Sequence, residues 1–258
     1  MTDGEVLAGH LSDMLGKCRA KDIITSTRFL DLAERSDAAR FCSQHKADAV
    51  FFGGYDGAER TVCVFIPEYL GADMFPSYFY EYGEESPIGV LRCRYSKDAP
   101  HLSHRDFLGS LMALGVKRET IGDILVFDLY ADIFAAREII PYLLENYKKA
   151  GRVPLSTEEI ALSDITLPDE KTEQHRDTVA SLRLDGIIAA VFSLSRAKAE
   201  EAISAGLVFV NDENIQKPDG KVCEGDKLVL RGRGKAKLVS VGGQSKKGRT
   251  VIIFERYV

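Results

Sequence analysis

No two cysteines in this chain form a C-x-x-C pair. Cys18, Cys42, Cys63, Cys93 and Cys223 are odd in number and scattered, and there are only 5 histidines. That pattern excludes zinc-ribbon and disulfide-scaffold frameworks, which need thiols at fixed spacings, and leaves reduced, mostly buried thiols. His101 and His104 stand three apart without cysteine or carboxylate ligands in motif spacing, so no metal is expected there. No apolar run reaches the length of a membrane span, and the opening MTDGEVLAGHLSD is acidic where a signal peptide would be basic and then apolar. A cytoplasmic protein with no membrane partner is the expectation. Cofactor signatures are missing too. The glycines of GGYDGAER lack the terminal Lys and Ser/Thr of a P-loop, and His104-Arg105-Asp106 lacks the Asn, the glycine-rich loop and the D-F-G of a kinase. Neither a cofactor nor a catalytic residue is expected.

What is present describes a soluble α+β protein of two or three domains. The chain has 258 residues, near-average apolar content and a formal net charge of -5. A mildly acidic total gives no support for nonspecific nucleic-acid binding by the whole chain, so the location of charge matters more than its sum. Residues 1–82 read as an N-terminal α/β module in which the glycines and Asp56 separate two β-prone runs, a hairpin pattern. Residues 83–167 alternate strand (IGVLRCRYS), helix (SHRDFLGSLMALG), strand pair (GDILVFDLYADIFA), helix (REIIPYLLENYKKAG) and short strand (VPLSTEEI). This order predicts a split βαβ module, ferredoxin-like or RRM-like. The base-stacking motif of RNA-binding RRMs is absent, so Phe127, Tyr130 and Phe134 are read as core or hairpin packing. Arg105, Lys117 and Arg118 flank the first of these helices as a basic rim.

A polar stretch from Leu167 to His175 leads into a last module, 176–258. Leu184, Ile187, Ile188, Val191 and Phe192 recur at helical spacing, as do Ala199, Ala202 and Ile203 on a second helix. Ser195 is a good N-cap for that second helix, yet Lys198 holds the capping-box position where Glu or Gln is usual, and Arg196 precedes it. A helix N-terminus is itself positive, so cations in its first turn point to an external anion such as phosphate. The alternative is that they are simply solvated. Gly206 suits a left-handed C-terminal position, LVFVN starts a strand, Pro218-Asp219-Gly220 marks a turn, and KLVLRGRGK ends in dense positive charge.

These residues resemble the RNA-binding domain named for ribosomal small-subunit protein four. The motifs are Arg183-Leu184-Asp185, Ser195-Arg196-x-x-Ala199, Gly206 to Asn211, and Gly225-Asp226, in that order. With GGYDGAER and HRDFLGSLMALGVKRETIGDI upstream, nearly the whole chain resembles the YlmH family of bacterial proteins. The resemblance implies an RNA-binding, translation-associated protein. Members of the family are connected with the large ribosomal subunit, rescue of stalled complexes and cell-division gene neighbourhoods.

On this reading Arg196, Lys198 and the Ser195-capped helix end meet folded RNA, and Arg183, Lys217, Arg231, Arg233 and Lys235 extend the basic surface. Asn211 either hydrogen-bonds a sugar or base or caps the strand turn. Lys246, Lys247 and Arg249 lie in a predicted hairpin loop. The expected partner is structured RNA, ribosomal or transfer, on the large subunit, with no preference for DNA. Two alternatives stay open: an RNA-modifying enzyme of pseudouridine-synthase type, for which Asp185 would be the candidate, and a protein-interaction adaptor.

Overall fold

A computed structural model describes residues 3–168, 171–245 and 248–257. The chain forms two compact units, 1–168 and 169–258.

In the first unit, α1 (Asp3–Lys21) places Leu7, Leu11, Leu15 and Cys18 on one buried stripe. After β1 (Thr25–Ser26), α2 (Leu32–His45) opens with a reciprocal capping box. Asp31 Oδ1 accepts the Ala33 and Glu34 N–H groups, and Glu34 Oε2 accepts the Asp31 N–H. The predicted hairpin follows as β2 (Ala49–Phe52) and β3 (Val62–Phe65), and the three strands order β1-β3-β2. Strand alternation makes this small sheet two-sided: Cys63 and Phe65 pack under α1 and α2, while Val62 and Val64 face the other way.

Beyond the short α3 (Ser77–Glu81) come β4 (Ile88–Arg94), α4 (His104–Ala113), β5 (Ile121–Val126), β6 (Tyr130–Ala136), α5 (Ile140–Asn146), a two-stranded ribbon of β7 (Lys149–Ala150) and β8 (Val153–Pro154), and β9 (Ser156–Ile160). The antiparallel order β5-β6-β4-β9 is that of a ferredoxin-like or RRM-like module. The second helix stops earlier than its apolar pattern suggests. Tyr147 leaves helical geometry and is buried, its hydroxyl bonded to Ser110 and to the Phe107 carbonyl of α4, and Lys149 turns into the ribbon.

Both faces of the four-stranded sheet are covered. Leu91, Cys93 and Ile133 pack with Phe107 and Leu111 of α4 and with Ile140 and Leu143 of α5. Ile88, Val90 and Phe134 pack with Phe29, Phe52, Val62 and Val64 of the N-terminal segment. The unit is therefore four layers, helices, sheet, sheet, helices, in which the first two sequence modules share one core. Phe134 is fully buried and its ring fills the place where a Cβ at Gly54 (φ +96°) would stand.

In the second unit, β10 (Thr172–Val179) begins within the polar stretch Leu167–His175. It pairs along its whole length with the last strand, β15 (Thr250–Tyr257). Between them lie α6 (Leu184–Val191), α7 (Arg196–Ser204), β11 (Val208–Val210), β12 (Glu213–Asn214), β13 (Lys227–Leu230) and β14 (Gly234–Gln244), giving a sheet of order β10-β15-β14-β13-β11-β12. The periodic residues Leu184, Ile187, Ile188, Val191, Ala199 and Ile203 form one core with Val208, Leu228, Leu238 and Phe254.

Candidate nucleic-acid interface

The start of α6 is fastened to the Pro218-Asp219-Gly220 turn. Leu184 N–H donates to the Gly220 carbonyl at 2.7 Å and Asp185 N–H to that of Pro218 at 3.0 Å. This places Asp185 at 0 % exposure between two arginines. Arg183 reaches its carboxylate through Nε and Nη2 at 3.3 and 2.9 Å, Arg196 through Nε and Nη2 at 3.2 and 2.8 Å, and the Gly186 N–H at 2.7 Å. Burial by itself would raise the acid's pKa. The two guanidiniums and the amide outweigh it and hold the carboxyl down at about 2.

The anion demanded by Arg196 is therefore already inside the protein. Its outer edge is still open: the Arg183 and Arg196 side chains are 44 % and 57 % exposed, and their hydrogen bonds to Asp185 use only Nε and Nη2. Each guanidinium carries five N–H donors, so the Nη1 groups stay available while the carboxylate fixes the plane of each fork. Arg196 also lies 3.6 Å from Glu200 one turn on. Ser195 caps α7 by accepting the Lys198 N–H at 3.3 Å, and Lys198 itself is exposed.

The other sequence candidates separate into three places. Lys217 is exposed on the segment that ends in the turn under α6, and Arg183 forms an isolated bridge with Lys221 of that same segment. Arg231 and Arg233 are exposed on the β13–β14 turn, where the Arg231 N–H donates to the Leu207 carbonyl just past the far end of α7, and Lys235 is half-buried beside them. A nine-residue helix is roughly 13 Å long, so these cations form a second cluster and not a continuation of the first. The Asn211 side chain is engaged within the protein. The residue holds a left-handed φ of +50°, donates through Nδ2 to Asp226 and accepts the Lys227 N–H through Oδ1, which explains why the strand-end Asn and the later Gly-Asp occur together. Arg249 turns back onto Thr178, donating to its hydroxyl and carbonyl. Lys246 and Lys247 lie outside the described residues.

In the first unit, the rim of Arg105, Lys117 and Arg118 is only partly outward. Arg118 donates to the Ile121 and Gly122 carbonyls, whereas Arg105 shares a groove with Lys148 and Lys149 that sequence spacing did not connect. Asp106 of the His-Arg-Asp triplet is the capping-box acid of α4, bonded to the Ser103 N–H and hydroxyl. Phe127 and Tyr130 stack at the β5–β6 hairpin end with Arg92 over the Tyr130 ring. All five cysteines are free, and four are buried.

A six-stranded sheet carrying two short helices and a basic edge, joined to an RRM-like module, defines a class of RNA-binding proteins. Two family profiles match in the corresponding places: "Putative RNA-binding domain in YlmH" over residues 83–164 and "S4 domain" over 182–228. The "Ribosome-associated protein quality control protein P2" of Bacillus subtilis (strain 168) is 32% identical over 230 residues, 89% of this chain and 86% of the relative. The chain belongs to the YlmH family. A solved structure, the cell division protein ylmH from Streptococcus pneumoniae, shares the fold. Its TM-score is 0.51 at 20% identity, covering 65% of this chain and 96% of that one.

Proposed function

We propose that this protein is a noncatalytic RNA-binding factor that docks on the large ribosomal subunit, meets structured ribosomal or transfer RNA there, and serves the rescue of stalled translation. The arrangement that carries the proposal is the pair of half-exposed guanidiniums, Arg183 and Arg196, held by the single buried carboxylate of Asp185. A pre-set pair of forks suits phosphodiester oxygens, because the entropy of ordering two long side chains is lost on folding and not on binding. The name of the Bacillus relative, a ribosome-associated quality control protein, supports a ribosomal setting. Engagement of Asp185 by five hydrogen bonds speaks against its use as a nucleophile: a carboxylate tied to two cations and held near a pKa of 2 is a weak base.

The test is cosedimentation with purified large ribosomal subunits, with and without peptidyl-tRNA, over a range of salt. Parent protein should bind in a salt-sensitive way. Lys198→Ala and Arg196→Lys, which spare the Asp185 charge balance more than Arg196→Ala does, should weaken binding. Dependence on peptidyl-tRNA supports rescue. Unchanged binding by folded variants would remove this surface from the interface, and a modified nucleoside after incubation would replace the noncatalytic reading with the enzymatic one.

A further inference from the structure

The profile matched to residues 83–164 carries RNA binding in its description, yet the sheet face on which an RRM stacks bases is closed in this chain. Val90 and Phe134 on that face are fully buried against Phe29, Phe52 and Val64. Any RNA contact made by this domain has to use another surface. Along the sheet and its margins the arginines are consumed by carboxylates: Arg92 with buried Asp132, Arg94 with Glu158, Arg137 with Glu159. On the opposite side, a groove of about 570 Å³ runs between α4 and the β7–β8 ribbon. Arg105 stands on one wall and Lys148 and Lys149 on the other, all exposed and none in an ion pair among the described residues. The acid beside them, Asp106, is turned to the Ser103 N–H and hydroxyl at the start of α4. The floor is Gly109 and Ala113, and a Cβ at Gly109 would meet nothing within 4 Å. Buried Tyr147 ties the two walls together through Ser110 and the Phe107 carbonyl, so their separation is held by the core.

We propose that this groove is a second contact for the RNA backbone, with Arg105, Lys148 and Lys149 binding phosphate oxygens from its two walls. The proposal rests on the RNA-binding reading above and adds to it a surface on the other unit. Phosphate is the occupant because the walls offer cations and no exposed aromatic ring for stacking, while Ser110 already spends its hydroxyl inside the fold.

Three full-length variants test it: Arg105→Gln/Lys149→Gln, Gly109→Glu and Gly109→Ala. Both glycine substitutions raise helix propensity at an open position, so neither should lower the melting temperature. Binding to purified large ribosomal subunits is followed through a salt titration. The expected result is that Gly109→Ala binds as the parent does and Gly109→Glu binds several-fold more weakly. The Gln pair should lower the steepness of log affinity against log salt by about 1.5, the loss of two phosphate contacts. Parent-like affinity and slope for both Gly109→Glu and the Gln pair would overturn the groove contact while leaving the Arg183/Arg196 surface standing. Equal losses in Gly109→Ala and Gly109→Glu would also overturn it, because a methyl group brings no charge. A parent protein that shows no salt-sensitive binding would sink the RNA reading itself, and the groove with it.

Discussion

Asp185 shows how one buried carboxylate can serve stability and recognition together. Its pKa is depressed from the ordinary 3.8 to about 2, so the folded state binds its proton less readily than the unfolded chain does. The stabilisation is therefore fully present above pH 4 or so and is lost as the pH falls through about 2. Asp185→Asn should cost about 2 kcal/mol at neutral pH, and the difference from the parent should shrink in acid. Urea unfolding at the two pH values measures both. The same variant releases Arg183 and Arg196 from their fixed planes, so RNA affinity should fall even where the protein stays folded. Asn211 gives the contrasting case. Its side chain is spent on Asp226 and Lys227 within a left-handed turn, and Asn211→Ala should destabilise the protein by about 1–3 kcal/mol. RNA affinity per folded molecule should not change; a binding loss without a stability loss would return Asn211 to the interface.

At the scale of elements, the decisive packing is the small N-terminal sheet against the RRM-like sheet. Phe134 is the central side chain of that contact, touching Tyr55 at a ring separation of 5.1 Å and filling the space above Gly54. Phe134→Ala should cost about 3–5 kcal/mol, as removal of a fully buried aromatic does. Gly54→Ala should also destabilise, through both its positive φ and the collision with the Phe134 ring. Denaturant midpoints test both, and a neutral Gly54→Ala would contradict the close approach. The periodicity of β4 and β6 announced strands with apolar residues on both faces, but not what would cover the second face, because hydrophobic alternation records burial and not the identity of the neighbour. The helix after β6 is a similar case. Its apolar spacing extends past Asn146, yet Tyr147 leaves the helix to reach Ser110, a partner 37 residues away in sequence.

For the whole molecule, charge follows the division into units. Lys and Arg outnumber Asp and Glu in 169–258, and the reverse holds in 1–168, within a total of -5. Each unit has its own buried core, so a fragment spanning 171–258 should fold alone and retain salt-sensitive binding to structured RNA. Heteronuclear amide spectra and a salt titration of the fragment check the two halves of that expectation; a collapsed spectrum would mean that the C-terminal core needs the rest of the chain.

The C-terminal helices, the strands after Gly206 and the basic character of this end were legible from residue order, because each depends on neighbours three, four or two positions apart. The recurrence of Arg183-Leu184-Asp185 with Ser195-Arg196 was legible as a motif as well. That Arg183 and Arg196 converge on one carboxylate was not, since the contact depends on a turn at residues 218–220 fastening the start of α6. In the same way, Arg105 and Lys149 became neighbours only when β7 folded back along α4. Short-range spacing determined the elements, the motifs and the sign of the charge. Tertiary packing decided which charges neutralise one another inside the protein and which are left facing outward, because Coulomb attraction and desolvation act on distances that sequence separation does not encode.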